Sequence, residues 1–156
     1  MTGRVKREIK QRRPFRRIED EAFVNLLRTG DALMQGVAAT LRPTGLSPTQ
    51  YNVLRILRGA EPDGLACREI GERMITRDPD ITRLLDRLEE PGLVARMRDA
   101  EDRRVIVTRI TREGLRVLEP LDGPIEALHM KQLGHLGPDR LKLLIALLED
   151  VRAGLH

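Results

Sequence analysis

Between positions 77 and 87 the chain reads Arg-Asp-Pro-Asp-Ile-Thr-Arg-Leu-Leu-Asp-Arg, an alternation of guanidinium and carboxylate groups with one hydroxyl. Ile81, Leu84, Leu85 and Leu88 fall at i, i+3, i+4 and i+7, which predicts a helix with one apolar face. The opposite face then presents Asp80, Thr82, Arg83, Asp86 and Arg87. Arg83 lies one turn from the helix start, where a guanidinium can bond bidentately to O6 and N7 of guanine, and Asp80 can accept from cytosine N4. Arg77 and Asp78, at the approach to the helix, complete the candidate DNA-binding set on this element. The same pattern also describes a solvated helix whose charges pair internally, Asp80 with Arg83 and Asp86 with a neighbouring arginine.

A second cluster follows. Leu93 to Arg98 and Arg104 to Ile110 are β-prone runs, separated by the polar loop Asp99-Ala100-Glu101-Asp102-Arg103. Arg103 and Arg104 thereby project from a hairpin tip. A narrow minor groove attracts an inserted arginine whatever its neighbours carry, which favours Arg104 for insertion and Arg103 for phosphate. The competing reading is a soluble turn, since Asp99, Glu101 and Asp102 neutralise the loop.

Other chemistries find no footing. No Gly-rich phosphate loop, GxSxG or nucleophile–base pair occurs, so no enzyme is expected. His129, His135 and His156 show no metal-ligand spacing with Cys67 or each other, and neither a metal nor a cofactor is expected. Cys67 beside Arg68 at a helix start reads either as a redox-active thiol or as a small buried hydrophobe. Phe15, Phe23 and Tyr51 are the only aromatic residues, too few to stack single-stranded bases. A nucleic-acid partner would therefore be duplex DNA.

These clusters need elements to position them. At 156 residues the chain fits one domain with a sizeable core. The net charge of +4 is uneven: residues 1–17 hold eight Lys/Arg against Glu8, leaving the remainder at −3. Basicity thus belongs to an N-terminal arm, 1–17, expected to be mobile, and global charge says little about the domain, 18–156. Ile18, Ala22, Leu26, Leu33, Val37 and Leu41 form a helical stripe over 18–41. Ser47, Pro48 and Gln50 predict a capping box opening a second helix that stops near Gly59. A short helix is expected from Cys67 to Met74, and the next from Asp78, with Asp78 as its cap and Pro79 at its first position. Thr111 caps a helix that carries Pro120 and Gly123-Pro124, so a break between Glu119 and Pro124 is expected. A last helix begins at Gly137-Pro138. The longest apolar run, Leu143 to Leu148, is far short of the ~20 residues of a membrane helix. No signal peptide follows the basic start, and one cysteine suits a reducing compartment, so a cytoplasmic protein without membrane contact is expected.

Two short helices, then a hairpin with a charged loop, make a winged helix-turn-helix over about 46–110. The fold expected is mainly α with a small β-hairpin, flanked by terminal helices at about 18–41 and 112–154. Those helices carry more apolar surface than so small a module can cover, which points to a symmetric homodimer.

At this point the chain resembles the MarR (multiple antibiotic resistance regulator) family. The resemblance spans about 20–152 and rests on LSPTQYNVLRIL at 46–57, REIGERM at 68–74, ITRLLDRLEEPGLVARMRDAEDRRVIVTRIT at 81–111 and EGLRVLEPL at 113–121. It implies that the helix at 78–90 enters the major groove and that Arg104 reaches the minor groove, held by a salt bridge from Asp102. It implies one long helix after the wing, and relief of repression by small aromatic acids or oxidants that change lobe separation. Ala66 departs from the usual Ser/Thr cap and Ile75 from the usual glycine. No cysteine lies near the start of the first helix, which argues against peroxide sensing.

The expected function is a sequence-specific regulator of transcription, a repressor, binding a pseudo-palindromic duplex operator. A small aromatic or aliphatic acid effector is expected in a pocket offering Tyr51, Arg55 and Arg58. The alternative is a winged-helix module that binds protein, which the balance of 11 bases and 11 acids over 62–112 would suit.

Overall fold

The computed structural model describes residues 3–155; Met1, Thr2 and His156, the last of the three histidines weighed above, lie outside the described residues. The chain is mainly helical with one small antiparallel sheet. A short helix, α1 (Arg4–Glu8), leads into the long α2 (Ile18–Leu41). Within the basic arm, residues 3–8 make contacts with α2. Val5 is only 2% exposed, the Gly3 N–H donates to Glu21 Oε1 at 2.6 Å, and Glu8 bridges Arg4 and Arg28 at 3.1 and 3.2 Å. One apolar residue and two carboxylates, Glu8 and Glu21, seat this turn on α2.

Helix α3 (Pro48–Arg58) starts as its sequence predicts. Ser47 Oγ accepts from the Gln50 N–H at 3.1 Å, and Gln50 Oε1 accepts from the Ser47 N–H at 2.9 Å. The two reciprocal bonds satisfy donors that a helix start otherwise leaves free. Next comes a strand absent from the sequence reading, β1 (Leu65–Ala66), which pairs with Thr108 and Val107. Two residues carry no alternation to detect. Helix α4 (Cys67–Arg73) has half a capping box: Ala66 offers no oxygen, but the Glu69 carboxylate accepts the Ala66 N–H at 2.9 Å.

Helix α5 (Ile81–Glu89) begins later than Asp78-Pro79 suggests. Asp80 is the cap, its Oδ1 accepting from the Arg83 N–H at 3.0 Å, while Asp78 Oδ1 holds the Asp80 N–H at 2.8 Å in the preceding turn. Both aspartates have capping chemistry, but the apolar stripe starts at Ile81, so only a start there places the whole helix on the core. Strands β2 (Val94–Arg98) and β3 (Ile106–Ile110) pair from Val94↔Ile110 to Arg98↔Ile106. The sheet order is β1-β3-β2. Arg104 and Val105 thus belong to the hairpin loop, not to the strand as expected.

After Thr111 the chain makes α6 (Arg112–Leu118), a 3-10 turn over Glu119–Leu121, α7 (Asp122–Leu133), a second 3-10 turn and α8 (Pro138–Ala153). The break falls where the prolines predict, and not as the single long helix of the resemblance. Pro120 stands in the 3-10 turn and Pro124 in the first turn of α7, positions where a missing N–H costs no helical bond.

Leu41, Leu54, Leu57, Ile70, Leu85, Leu88 and Leu118 meet in one core that gathers α2 to α6. Helix α8 contributes nothing to it: none of its residues is buried, and Leu143, Ile145, Leu147 and Val151 are each at least half exposed. On α2, Ile18, Phe23 and Leu27 are likewise 60% exposed or more. Among the described residues no helix is long and apolar enough to cross a membrane.

The module closes tightly at one glycine. A Cβ on Gly114 would run into the Leu93 carbonyl oxygen and against Ile110 Cγ1, with backbone on one side and core on the other. Gly114→Ala is therefore expected to destabilise the fold by about 1–3 kcal/mol, the usual range for overpacking. Urea unfolding followed by circular dichroism checks this, and an unchanged midpoint would show that α6 can lift from the sheet without strain.

Candidate nucleic-acid interface

Leu84, Leu85 and Leu88 are buried, so α5 turns Thr82, Arg83, Asp86 and Arg87 to solvent. Arg77 is exposed on the approach, and Asp78, Asp80, Arg83 and Arg87 border one shallow hollow. The carboxylates here have other employment. Asp78 and Asp80 accept backbone N–H groups, and Asp86 binds Arg96 across on β2. Among the described residues no carboxylate forms an ion pair with Arg77, Arg83 or Arg87. The internally paired face that the spacing also allowed is not what forms.

The wing loop, 99–105, is organised by aspartates acting on its own backbone. Asp99 Oδ1 accepts the N–H groups of Glu101 and Asp102 at 2.8 and 2.9 Å. These two bonds, Asp102's the larger, hold the Asp99 carboxyl below its usual range. The Asp102 carboxylate accepts the Arg104 N–H at 3.0 Å, and its carbonyl accepts the Val105 N–H at 2.9 Å. Asp102 therefore aims Arg104 through the main chain; among the described residues the salt bridge implied by the resemblance is not formed. The reason is local. The turn directs Asp102 Oδ1 to the Arg104 amide and not to its guanidinium, and among the described residues the Arg103 and Arg104 guanidinium groups are exposed without an acidic partner.

Two organisers of this surface went unread in the sequence, Asp99 and Arg96. Asp99 looked like a neutralising charge, although an aspartate opening a tight turn is a known backbone acceptor. Arg96 bonds residues seven and ten positions away, and no local pattern announces that.

Of Tyr51, Arg55 and Arg58, the first two line one cavity. A cavity of about 270 Å³ lies between α2, α3, the turn before α5 and α7, with Val37, Tyr51, Arg55, Thr76, Ile125 and His129 in its lining. The Arg55 guanidinium carbon stands 5.9 Å from the Tyr51 ring centroid, a cation–π distance. Arg58 does not line this cavity. Its two terminal nitrogens bond both oxygens of Asp122 at 2.8 and 2.9 Å, tying α3 to the start of α7, so it is not a free carboxylate partner. The bidentate bond raises the Arg58 pKa and lowers that of Asp122. His129, considered above only as a metal ligand, belongs to the cavity. Among the described residues no group of His, Cys, Asp and Glu is placed to hold a metal ion.

An amphipathic helix with unpaired outward arginines, next to a hairpin with two more, on a module of α3, α4, α5 and a three-stranded sheet, is a winged helix-turn-helix. Residues 46–106 match the model of the MarR family. An uncharacterised helix-turn-helix transcriptional regulator of Bacillus subtilis, YkoM, is 31% identical over 147 residues, 91% of this chain and 92% of that protein. The crystal structure of a MarR transcription factor from Planctomyces limnophilus aligns with 42% identity and a TM-score of 0.66, covering 87% of this chain and 98% of that one. The fold is also that of S. aureus MepR in a complex with DNA, with a TM-score of 0.75 at 22% identity over 83% of this chain and 96% of that one. The chain belongs to the MarR family of transcription regulators.

The Arg58–Asp122 pair makes stability depend on acid. A carboxyl depressed by folding contributes stability that is fully present above its unfolded pKa, ~3.9, and is lost as pH falls through the folded value. Asp122→Asn is expected to destabilise the protein at pH 7 by less than about 1 kcal/mol, since Asp122 is half exposed. The gap between variant and parent in thermal melts should close below about pH 4. A gap of constant size down to pH 3 would remove the pair from the stability of the α3–α7 junction.

Proposed function

We propose that this protein binds duplex DNA as a homodimer and represses transcription from a pseudo-palindromic operator. The observation that carries the reading is the division of labour among charges. Asp80, Asp86 and Asp102 are engaged by backbone N–H groups or by Arg96, while Arg83, Arg87, Arg103 and Arg104 point outward without acidic partners among the described residues. Phosphate contacts position such a surface and guanidinium contacts to guanine specify it. Arg83 is assigned to base edges in the major groove, Arg104 to the minor groove, and Arg103 to phosphate. The fold shared with a DNA-bound relative supports this docking mode. An effector suits the cavity beside Tyr51: its lining is mostly apolar, with the Arg55 guanidinium as a cation and the His129 imidazole as a further polar group, which favours a small acid with an apolar ring.

Selection of bound sequences from a random duplex pool tests the reading. A pseudo-palindrome with half-sites about one helical turn apart is expected. Arg104→Ala should cost about 1–3 kcal/mol of affinity for the selected duplex without altering the circular dichroism spectrum. Failure to enrich any sequence would overturn the proposal in favour of a protein-binding winged module.

The dimer follows from the exposed apolar faces of α2 and α8, which only a second copy of the same faces would cover economically. Sedimentation equilibrium at micromolar concentration should give twice the 17.7 kDa chain mass. A single species at the chain mass would sink the dimer.

A further inference from the structure

Arg96 stands in the middle of β2, turned toward α5, and is bonded there at four points. Its backbone N–H donates to Glu89 Oε1 at 3.0 Å and its Nε to Glu89 Oε2 at 2.9 Å. Its Nη2 reaches both Glu89 and Asp86. One strand residue thus ties main chain and side chain to two carboxylates on successive turns of the helix. The Arg96 side chain is 27% exposed, more sheltered than that of either acid. The forked, charge-assisted bonds lower the Glu89 pKa and raise that of Arg96.

The bridge joins the two elements that would read DNA. The core holds α5 by Leu84, Leu85 and Leu88, and it holds the base of the hairpin by Val94, Val107 and Ile110, whereas β2 itself is increasingly exposed from Ala95 toward the loop. Arg96 is the polar tie between the helix and that outgoing strand. It also engages one oxygen of Asp86, which sits next to Arg87 and one turn beyond Arg83. A free carboxylate there would repel a phosphate backbone and compete for those arginines.

We propose that Arg96 is a positioning residue for DNA binding, which sets the wing against the reading helix and engages Asp86 so that it does not pair with Arg83 or Arg87, without itself contacting DNA. The proposal rests on the DNA-binding reading above. The probes are the duplex selected with the parent protein and a random duplex of equal length. Arg96→Met keeps a similar apolar stem and deletes the fork. It should bind the selected duplex about tenfold more weakly and the random duplex only about twofold more weakly, because register is lost while non-specific charge contacts remain. The penalty of Arg104→Ala should shrink in the Arg96→Met background, since a mispositioned wing has less to lose. Adding Asp86→Asn to Arg96→Met should recover part of the affinity, whereas a purely structural defect would not respond to that change. If Arg96→Met does not fold, Glu89→Gln with Asp86→Asn removes the partners instead and should show the same reduced penalty for Arg104→Ala. Parental affinity in Arg96→Met would overturn the proposal, as would equal losses on both duplexes or an undiminished Arg104→Ala penalty. If the parent protein itself selects no duplex, the DNA-binding reading fails first.

Discussion

Leu84, Leu85 and Leu88 fill one side of α5, and a helix that turns once every 3.6 residues leaves no freedom in what then faces outward. Burying these three in the core that also holds Leu54, Leu57 and Ile70 fixes the rotation of the helix about its own axis. Arg83 and Arg87 are one turn apart and move as a pair with that rotation. Slipping the apolar stripe by one residue would carry both arginines about 100° around the axis, away from the surface shared with the wing. The polar chemistry of the reading face is therefore held by an apolar constraint on its reverse. The same core receives Val94 and Ile110, so hairpin and helix take their orientations from one packed centre.

Acidic residues serve this surface as fittings. Asp78, Asp80, Asp99 and Asp102 each give an oxygen to a nearby backbone N–H, closing a turn or capping a helix. Glu89 and Asp86 share one guanidinium between helix and strand. Formal charge over this region balances, yet the two signs are placed differently: the acids named here are bonded to backbone N–H groups or to Arg96, whereas Arg83, Arg87, Arg103 and Arg104 stand exposed. A count of acids and bases could not distinguish a neutral surface from this one.

The fold was legible where its signals are local. The Ser47–Gln50 box, the Thr111 cap, the stripe on α5 and the proline break after Leu118 all rest on residues within a turn of each other, and all appear where the spacing puts them. The misreadings share the opposite property. The two-residue strand β1 exists only because β3 lies beside it, the choice of Asp80 over Asp78 as cap depends on where the core begins, and Arg58 is taken by Asp122, 64 positions away. At the site, the arginines announced themselves by type and spacing. Their freedom did not, because it depends on which distant or backbone groups have already claimed the neighbouring acids. The docking of Val5 was hidden by the charge around it.

The break over Glu119–Leu121 has a mechanical meaning. An uninterrupted helix flexes as an elastic rod, spreading any change of angle over its whole length. Here the connection from the winged module to α7 is two stiff rods of 7 and 12 residues meeting at a three-residue joint. Bending between them is concentrated at that joint. The Arg58–Asp122 contact crosses it, anchored on α3 at one side and on the first residue of α7 at the other. Flexing the joint therefore stretches a bidentate ionic bond, and its stiffness is partly electrostatic, set by salt and acid as well as by the backbone.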